Sequence, residues 1–223
     1  MNQKPSYFLG IETSGPVGTV AVIRAEEGGS LTLLGRRESA VRNAHGEALL
    51  PLVDAVLQEA GIPLRALSAI GVGVGPGSFT GIRVALGTAI GLRLATGVPL
   101  VAVDAFDALE EAAGAPSSGV VITVIDALRG EVFVRIRDGN QTFKEPSTAT
   151  AAAIDAQFAD HSVAAIIGPP SESLTTQASL RAADEPDAVA VARVAARRPP
   201  TDEPEPLYVR PPDISVAKPK KQN

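Results

Sequence analysis

The stretch Gly75-Pro76-Gly77-Ser78-Phe79-Thr80-Gly81-Ile82-Arg83 connects a short apolar run to a nearly all-apolar helix. It is not a Walker-type phosphate loop, because that motif needs Lys and then Ser or Thr directly after its last glycine, where this chain has Ile82-Arg83. The dinucleotide-binding spacing also fails, since Thr80 stands where the third glycine would be. The stretch therefore predicts a tight turn into a helix N-terminus, with Ser78 or Thr80 as the N-cap.

The helix predicted over residues 80–96 carries charge only at Arg83 and Arg93. A helix that lies on one core shows a polar outer face, whereas a helix that is apolar all round needs cover on both sides. Gly87 and Gly91, one turn apart, would let another backbone approach closely. Two interpretations stay open: the helix is sandwiched inside its own domain, or one face packs on its own sheet and the other on a partner protein.

The composition narrows the class of protein. With 223 residues, 45% of them apolar, the chain can form one large domain or two small ones with sizeable cores. It contains no cysteine, which excludes disulfides, thiolate metal sites and cysteine nucleophiles. Its two histidines, His45 and His161, do not form a zincin motif, because Leu49 lies four residues after His45. The cysteine and histidine content therefore predicts no metal site. A net charge of −5 argues against a protein that binds nucleic acid on its own, so we expect no direct binding of RNA.

The hydropathy pattern predicts neither a signal peptide nor a membrane span. Lys4-Pro5 is followed by an apolar run that reaches Glu12 too early for a signal sequence. The most apolar segment is interrupted by Arg83 and Arg93. We therefore expect a cytoplasmic protein with no membrane partner.

The order of predicted elements is β-β-β-α-β-α, and it occurs twice. In the first unit the strands are expected at 7–13, 18–24, 31–39 and 68–74, and the helices at 45–60 and 80–96. In the second unit the strands are expected at 119–126, 131–137, 141–144 and 163–168, and the helices at 148–159 and 186–198. Pro51 lies inside the first helix, which predicts a late start or a bend there.

This repeat predicts an α/β protein with the duplicated actin/hexokinase-type (ASKHA, RNase H-like) two-lobed fold and a trimmed second lobe. We expect an N-terminal lobe over residues 1–103 that carries the two long helices. A smaller C-terminal lobe over 104–198 follows, and its last helix could pack back on the first lobe. Seven prolines among residues 199–223 predict a largely mobile tail, with Leu207-Tyr208-Val209 as an apolar exception that could dock on the body.

In that fold, acids at the end of the first strand of each lobe handle a metal–phosphate group. Glu12, with Ser14 nearby, and Asp126, with Arg129 nearby, are the corresponding weak candidates for binding a cofactor. The alternative is that each acid only accepts backbone N–H bonds in its own turn. An ATP-dependent phosphotransferase or ATPase of the actin/hexokinase type is therefore one functional hypothesis. A peptidase is a weaker one, with Ser14 or Ser78 as the nucleophile.

Five sequence motifs resemble the bacterial TsaB (YeaZ-like) family of tRNA threonylcarbamoyladenosine synthesis. They lie in order along most of the chain: Leu9-Gly-Ile-Glu-Thr-Ser14, His45-Gly-Glu-Ala-Leu-Leu-Pro51, Gly75 to Arg83, Asp126 to Phe133, and Pro206-Leu-Tyr-Val-Arg210. Three positions differ from the family pattern, with Glu12 in place of an aspartate, Leu128 in place of an arginine and Phe133 in place of a tyrosine. These differences weaken the case for ATP turnover by this chain.

The resemblance implies a subunit with no catalytic residues and no cofactor or metal of its own. Its partners would be a TsaD-like transferase subunit and a small TsaE-like ATPase subunit, and tRNA would be bound through the complex. ATP and magnesium would be used by that complex, and the chain alone would form a homodimer.

The resemblance also implies that the two helices at 45–60 and 80–96 pair with the matching helices of the partner. The side chains expected at this interface are His45, Leu49, Leu52, Val53, Val56, Arg83, Leu86, Ile90, Arg93 and Leu94.

Overall fold

The computed structural model describes residues 5–39, 45–182 and 184–210, and of residues 45–48 the backbone alone. Strands within these residues are β1 Ser6–Glu12, β2 Thr19–Ala25, β3 Leu31–Glu38, β4 Leu67–Gly73, β5 Leu100–Val103, β6 Val120–Asp126, β7 Val132–Asp138, β8 Gln141–Ala149, β9 Val163–Ile167 and β10 Ala178–Ala182. The α-helices are α1 His45–Ala60, α2 Phe79–Thr96, α3 Ala105–Ala113, α4 Ala151–Phe158 and α5 Ala188–Ala195.

The two halves of the chain form two five-stranded mixed sheets with the same topology. The strand order is β3-β2-β1-β4-β5 in the first sheet and β8-β7-β6-β9-β10 in the second. In both sheets the first three strands are antiparallel neighbours, and the fourth pairs in parallel with the first. The duplicated actin/hexokinase-type fold predicted from the sequence is confirmed.

The repeat is longer than the sequence predicted, and one of its helices is reduced. Each unit continues with a fifth strand and a last helix. Of these elements the sequence analysis predicted α5 but not β5, α3 or β10. The second unit has only a short 3-10 helix, Pro169–Ser173, at the place that α2 occupies in the first. The long helix with the apolar surface is therefore present only in the first unit. The helix α1 begins at His45, and Pro51 lies within it.

The last helix of each unit packs on the sheet of the other unit. The helix α3 contacts β6 and β9, while α5 contacts β1, β2 and β4. The approach of α5 to β1 is very close, because a Cβ atom at Gly10 would lie 2.0 Å from the carbonyl oxygen of Ala188. The absence of a side chain at Gly10 thus lets a helix backbone lie directly on a central strand.

Charged side chains connect α3 to the second sheet. The Arg135 guanidinium on β7 lies 3.2 Å from Asp104, 2.8 Å from Asp107 and 2.9 Å from Glu110, and its side chain is 11% exposed. Arg137 also pairs with Glu110, at 2.6 Å. Burial raises the pKa of Asp104 to about 6, although the charge of Arg135 acts in the opposite direction. This ion cluster joins the helix that follows the first sheet to the strands of the second.

The segment that follows α5 is attached to the first lobe. The Thr201 N–H donates to the Leu100 carbonyl at 2.7 Å, and Thr201 Oγ1 accepts the Ala102 N–H at 3.0 Å. The Leu207 N–H donates to the Val74 carbonyl at 2.8 Å. The Pro-rich segment therefore runs beside β5 and reaches the end of β4.

The same segment also contacts the second lobe. The Leu207 side chain packs against the hydrophobic clusters of both lobes, and Val209 packs against the cluster around Phe106. Arg210 donates to the Ala127 carbonyl at 2.8 Å and pairs with Glu131 at 2.9 Å. The contacts of Leu207 and Val209 agree with the docking that the sequence predicted for Leu207-Tyr208-Val209, whereas those of Thr201 and Arg210 differ from the mobile tail predicted around it. The lysines of residues 211–223 lie outside the described residues.

Candidate functional site

The turn quoted first, Gly75 to Arg83, directs α2 away from the end of β4. Gly75 has a φ of 92°, which favours glycine, and the Ser78 hydroxyl caps the helix by accepting the Gly81 N–H at 3.2 Å. The Ser78 N–H in turn donates to the Ser14 carbonyl at 2.8 Å. The N-cap is thus one of the two residues that the sequence offered, and the turn is held against the β1–β2 connection.

One side of α2 packs on the first sheet, and the other side is open. The buried residues of the helix are Gly81, Ile82, Ala85, Leu86 and Ala89. The opposite side presents a row that we call the outward stripe: Arg83, Gly87, Ile90, Gly91 and Leu94. Leu94 is 80% exposed, Ile90 is half-buried, and a Cβ atom at Gly87 or Gly91 would meet nothing within 4 Å. Of the two interpretations of this helix, the one in which it is sandwiched inside its own domain is wrong, because the described residues leave this side uncovered. Cover of this side by a partner stays a prediction.

Four residues expected at the interface belong instead to the core of this chain. Leu49, Val53, Val56 and Leu86 are at most 7% exposed and pack in the hydrophobic cluster of the first lobe. The reason is that α1 turns its most apolar side to the sheet, and that the contact of Gly81 with Thr13 fixes the rotation of α2 with Leu86 on the side that faces the sheet. The His45 side chain lies outside the described residues.

Other expected residues lie at or near the surface, together with one that the sequence did not single out. Leu52 of α1 is half-buried against the core, and Leu50 beside it is 54% exposed. Arg93 is half-buried and donates to the Asp202 carbonyl at 2.7 Å. Leu50 was not predicted as an interface residue, because the sequence alone does not show which apolar residues of a helix face outward.

The exposed end of α2 carries a cluster of one arginine and two aromatic side chains. The Arg83 guanidinium lies 4.0 Å from the centroid of the Phe79 ring, and its Nε donates to the Tyr208 hydroxyl at 3.3 Å. The two rings are 5.3 Å apart. Tyr208 could not be assigned to this site from the sequence, because more than a hundred residues separate it from Arg83.

Glu12 is sealed inside the first lobe. It is 0% exposed, its Oε1 accepts the Ser14 N–H, and its Oε2 has no hydrogen-bond partner among the described residues. The same Oε2 leaves no room for a side chain at Gly73, where a Cβ atom would lie 2.1 Å away. Burial raises the pKa of Glu12, so the neutral form is favoured.

Asp126, the corresponding acid of the second lobe, lies in a different environment. It is exposed, and its Oδ1 accepts the Leu128 N–H at 2.8 Å. Leu128 and Arg129 both have left-handed backbone conformations, with φ of 64° and 59°. This acid thus accepts a backbone N–H bond in its own turn, as the alternative interpretation of the sequence expected.

The environment of Glu12 does not fit a metal–phosphate group. A hard cation such as Mg²⁺ needs charged, accessible oxygen ligands, and the Glu12 carboxyl is enclosed and favours its neutral form. In the described part of the chain, no group of three or more His, Cys, Asp or Glu side chains is arranged to hold a metal.

Within the described residues, none of the helices combines the length and the hydropathy needed to cross a bilayer.

Comparison with known proteins identifies the family. Residues 38–193, well over half of the chain, match the family described as TsaD, tRNA N6-adenosine threonylcarbamoyltransferase. An uncharacterized protein of Mycobacterium tuberculosis is 34% identical over 151 residues, which cover 67% of this chain and 68% of that protein. The tRNA threonylcarbamoyladenosine biosynthesis protein TsaB of Haemophilus influenzae is 32% identical over 127 residues, covering 56% of this chain and 51% of that protein.

A solved structure extends the likeness to nearly the whole chain. YeaZ from Pseudomonas aeruginosa has a TM-score of 0.73 and 26% sequence identity, and the alignment covers 91% of this chain and 99% of that one. The resemblance first noticed in the turn before α2 is confirmed, and the chain belongs to the TsaD-related family as a TsaB/YeaZ-like protein.

Proposed function

We propose that this chain is a non-catalytic, cytoplasmic subunit in the biosynthesis of threonylcarbamoyladenosine in tRNA. It binds a TsaD-like transferase subunit through α1 and α2 and supports the activity of that subunit. ATP and magnesium act elsewhere in the complex, to which a small TsaE-like ATPase subunit also belongs. In the absence of the transferase subunit, the same surface pairs two copies of this chain.

The outward stripe of α2 is the observation that carries this proposal. Complete burial of a leucine side chain contributes about 1.5–3 kcal/mol, and Leu94 is 80% exposed in the single chain. Gly87 and Gly91 leave open space beside it, into which the backbone of another helix can approach. Leu50 of α1 adds a second exposed leucine on the neighbouring helix.

The environment of the acids supports the non-catalytic part of the proposal. An acid that positions magnesium and phosphate must be accessible to ligand, and Glu12 is fully enclosed, in surroundings that raise its pKa by burial. The phosphotransferase hypothesis is tested by calorimetric titration of the isolated chain with Mg-ATP. Micromolar binding would favour that hypothesis over a binding subunit.

The main test is co-expression with the transferase subunit, followed by size exclusion and light scattering. Leu94→Asp, alone or with Ile90→Asp, is expected to abolish co-elution because a buried unpaired carboxylate opposes association. Phe143→Asp is the matched control, since Phe143 is 67% exposed but lies on β8 of the second sheet. Loss of binding in both variants, or in neither, would refute the proposed interface.

A further inference from the structure

We propose that Arg83 is the charged anchor of this docking face and that it binds a carboxylate of the transferase-type partner. The inference rests on the proposed function and adds the chemistry that the partner must present. Arg83 begins the outward stripe and is its one charged member, followed by Gly87, Ile90, Gly91 and Leu94.

The guanidinium of Arg83 is held in place before any partner arrives. The ring of Phe79, on the same helix, lies 4.0 Å from it, and the hydroxyl of Tyr208 accepts its Nε–H at 3.3 Å. The Tyr208 ring also packs 5.3 Å from the Phe79 ring, which fixes the acceptor. A planar group fixed in this way loses less conformational freedom when it forms a complex.

The binding capacity of this guanidinium is largely unused. Its Nη groups make no hydrogen bond and no ion pair with any residue that the structure describes. By contrast, Arg24, Arg36 and Arg37 on the same lobe each pair with a carboxylate of this chain. Two Nη groups side by side form a fork that matches the two oxygens of a carboxylate.

The surroundings of Arg83 favour a protein carboxylate over the phosphates of an RNA. Phosphate backbones are bound by several cations along a track, and the stripe beyond Arg83 is apolar or glycine. The chain as a whole has a net charge of −5, which repels a polyanion. One arginine at the edge of an apolar patch is instead typical of a protein interface, where arginine is enriched among the residues that dominate binding.

The same charge disfavours a second copy of the chain as the preferred occupant. Two identical faces would bring two Arg83 side chains to one interface, and the outward stripe offers no carboxylate to either of them. A partner with an acid at the matching position gains a charge-assisted pair that the homodimer lacks. Within the outward stripe, the charge of Arg83 therefore favours the heterodimer over the homodimer.

The test measures the dissociation constant of the complex between the full chain and the transferase subunit, at low and high salt. Arg83→Gln is expected to weaken binding about 10- to 100-fold and to reduce its salt dependence. Arg83→Lys should recover only part of the affinity, because lysine keeps the charge but loses the fork. Tyr208→Phe should have a smaller effect in the same direction. The matched control is Arg65→Gln, because Arg65 is also an exposed arginine of this lobe whose guanidinium donates to an uncharged oxygen, the Ala95 carbonyl.

The results separate this inference from the proposed function. If Leu94→Asp abolishes binding while Arg83→Gln binds like the wild type, the interface stands and the role of Arg83 is overturned. Absence of binding by the wild type would overturn both. Rescue of Arg83→Glu by an Asp or Glu to Lys exchange in the partner would support the pair directly. Weaker binding of tRNA by Arg83→Gln, with unchanged binding of the partner, would assign the arginine to RNA and overturn the proposal.

Discussion

The backbone of Gly81, in the first turn of α2, lies against the backbone of Thr13 at the end of β1. A Cβ atom at Gly81 would lie 1.8 Å from the Thr13 carbonyl oxygen. The Thr13 hydroxyl also donates to the Gly81 carbonyl at 2.6 Å, and both residues are buried. The motif at the start of the chain and the motif before α2 are thus in direct contact, and this contact sets the position of α2.

Gly81→Ala should therefore destabilise the protein strongly. The added methyl group meets the carbonyl of Thr13, directly after the central strand β1, which cannot move without shifting the strand or the helix. We therefore expect a loss of about 3 kcal/mol or more. Chemical denaturation measures the free energy of unfolding. Gly87→Ala is the control, because a Cβ atom there meets nothing within 4 Å and alanine raises helix stability by about 1 kcal/mol. Equal stability of the two variants would show that the close approach to Thr13 is unimportant.

Arg135→Met should be strongly destabilising at neutral pH. It removes the cation that lies beside Asp104, Asp107 and Glu110, which leaves partly buried carboxylates without compensation at a cost of about 3–5 kcal/mol. The deficit should shrink as the pH falls through about 6, where Asp104 takes up a proton. Urea denaturation at pH 7 and pH 5 measures the free energy of unfolding of the wild type and the variant, and so the size of this deficit. Arg24→Met, which breaks the more exposed pair with Glu26, should cost less than about 1 kcal/mol, and a similar loss in both variants would contradict the prediction.

Glu12→Gln should change how stability depends on pH. Burial raises the pKa of Glu12 in the folded protein, so the folded state holds a proton that the unfolded state releases above about 4.5. The stability of the wild type should therefore fall as the pH rises from the unfolded pKa to the folded pKa, by about 1.4 kcal/mol for each pH unit. The glutamine variant should lose this part of the slope. Thermal or urea unfolding between pH 4 and 9 checks it, and parallel curves for the two proteins would show that Glu12 is not the cause.

Leu207→Asp should release the segment at residues 199–210. This leucine packs against the clusters of both lobes, and a carboxylate at its place would be forced out into solvent. Limited proteolysis should then cut the variant within the segment, while the wild type stays protected there. Val209→Asp is expected to have a weaker effect, because that side chain packs against only one of the two clusters. Rapid cleavage of the wild type would instead agree with the mobile tail predicted from the sequence.

The strands and helices that the sequence located are those with a clear period or clear ends. The stripe of α1 and the apolar run of β4 are of this kind, and so is α2 after its glycine turn. The missed elements are short or merge with their neighbours. The four-residue strand Leu100–Val103 follows α2 after only Gly97, Val98 and Pro99, and it is too short for a recognisable pattern. The helix α3 begins at Ala105, one residue after that strand, so it merges with the strand in the sequence pattern.

The candidate site was only partly predictable for a different reason. The sequence identified α2 as a helix that is apolar on all sides, more than one sheet can cover. Hydropathy alone does not say which of these sides the sheet covers. Leu86 and Leu94 are the same residue type on the same helix, and one is buried while the other is 80% exposed. The difference arises because the turn at Gly75–Ser78 and the contact with Thr13 fix the rotation of the helix about its axis.

The amino-acid sequence by itself determined the repeated α/β architecture, the family and the helix that is apolar on all sides, because periodicity, glycine turns and motifs are local properties of the chain. Only the tertiary structure decided that Glu12 is enclosed, that Tyr208 stands beside Arg83, and that the outer rather than the inner side of α2 is free. These features depend on contacts between residues far apart in sequence, such as Arg83 with Tyr208 and Gly10 with Ala188. Burial, and with it the charge state of an acid or the availability of an arginine, is set by the packing of whole elements.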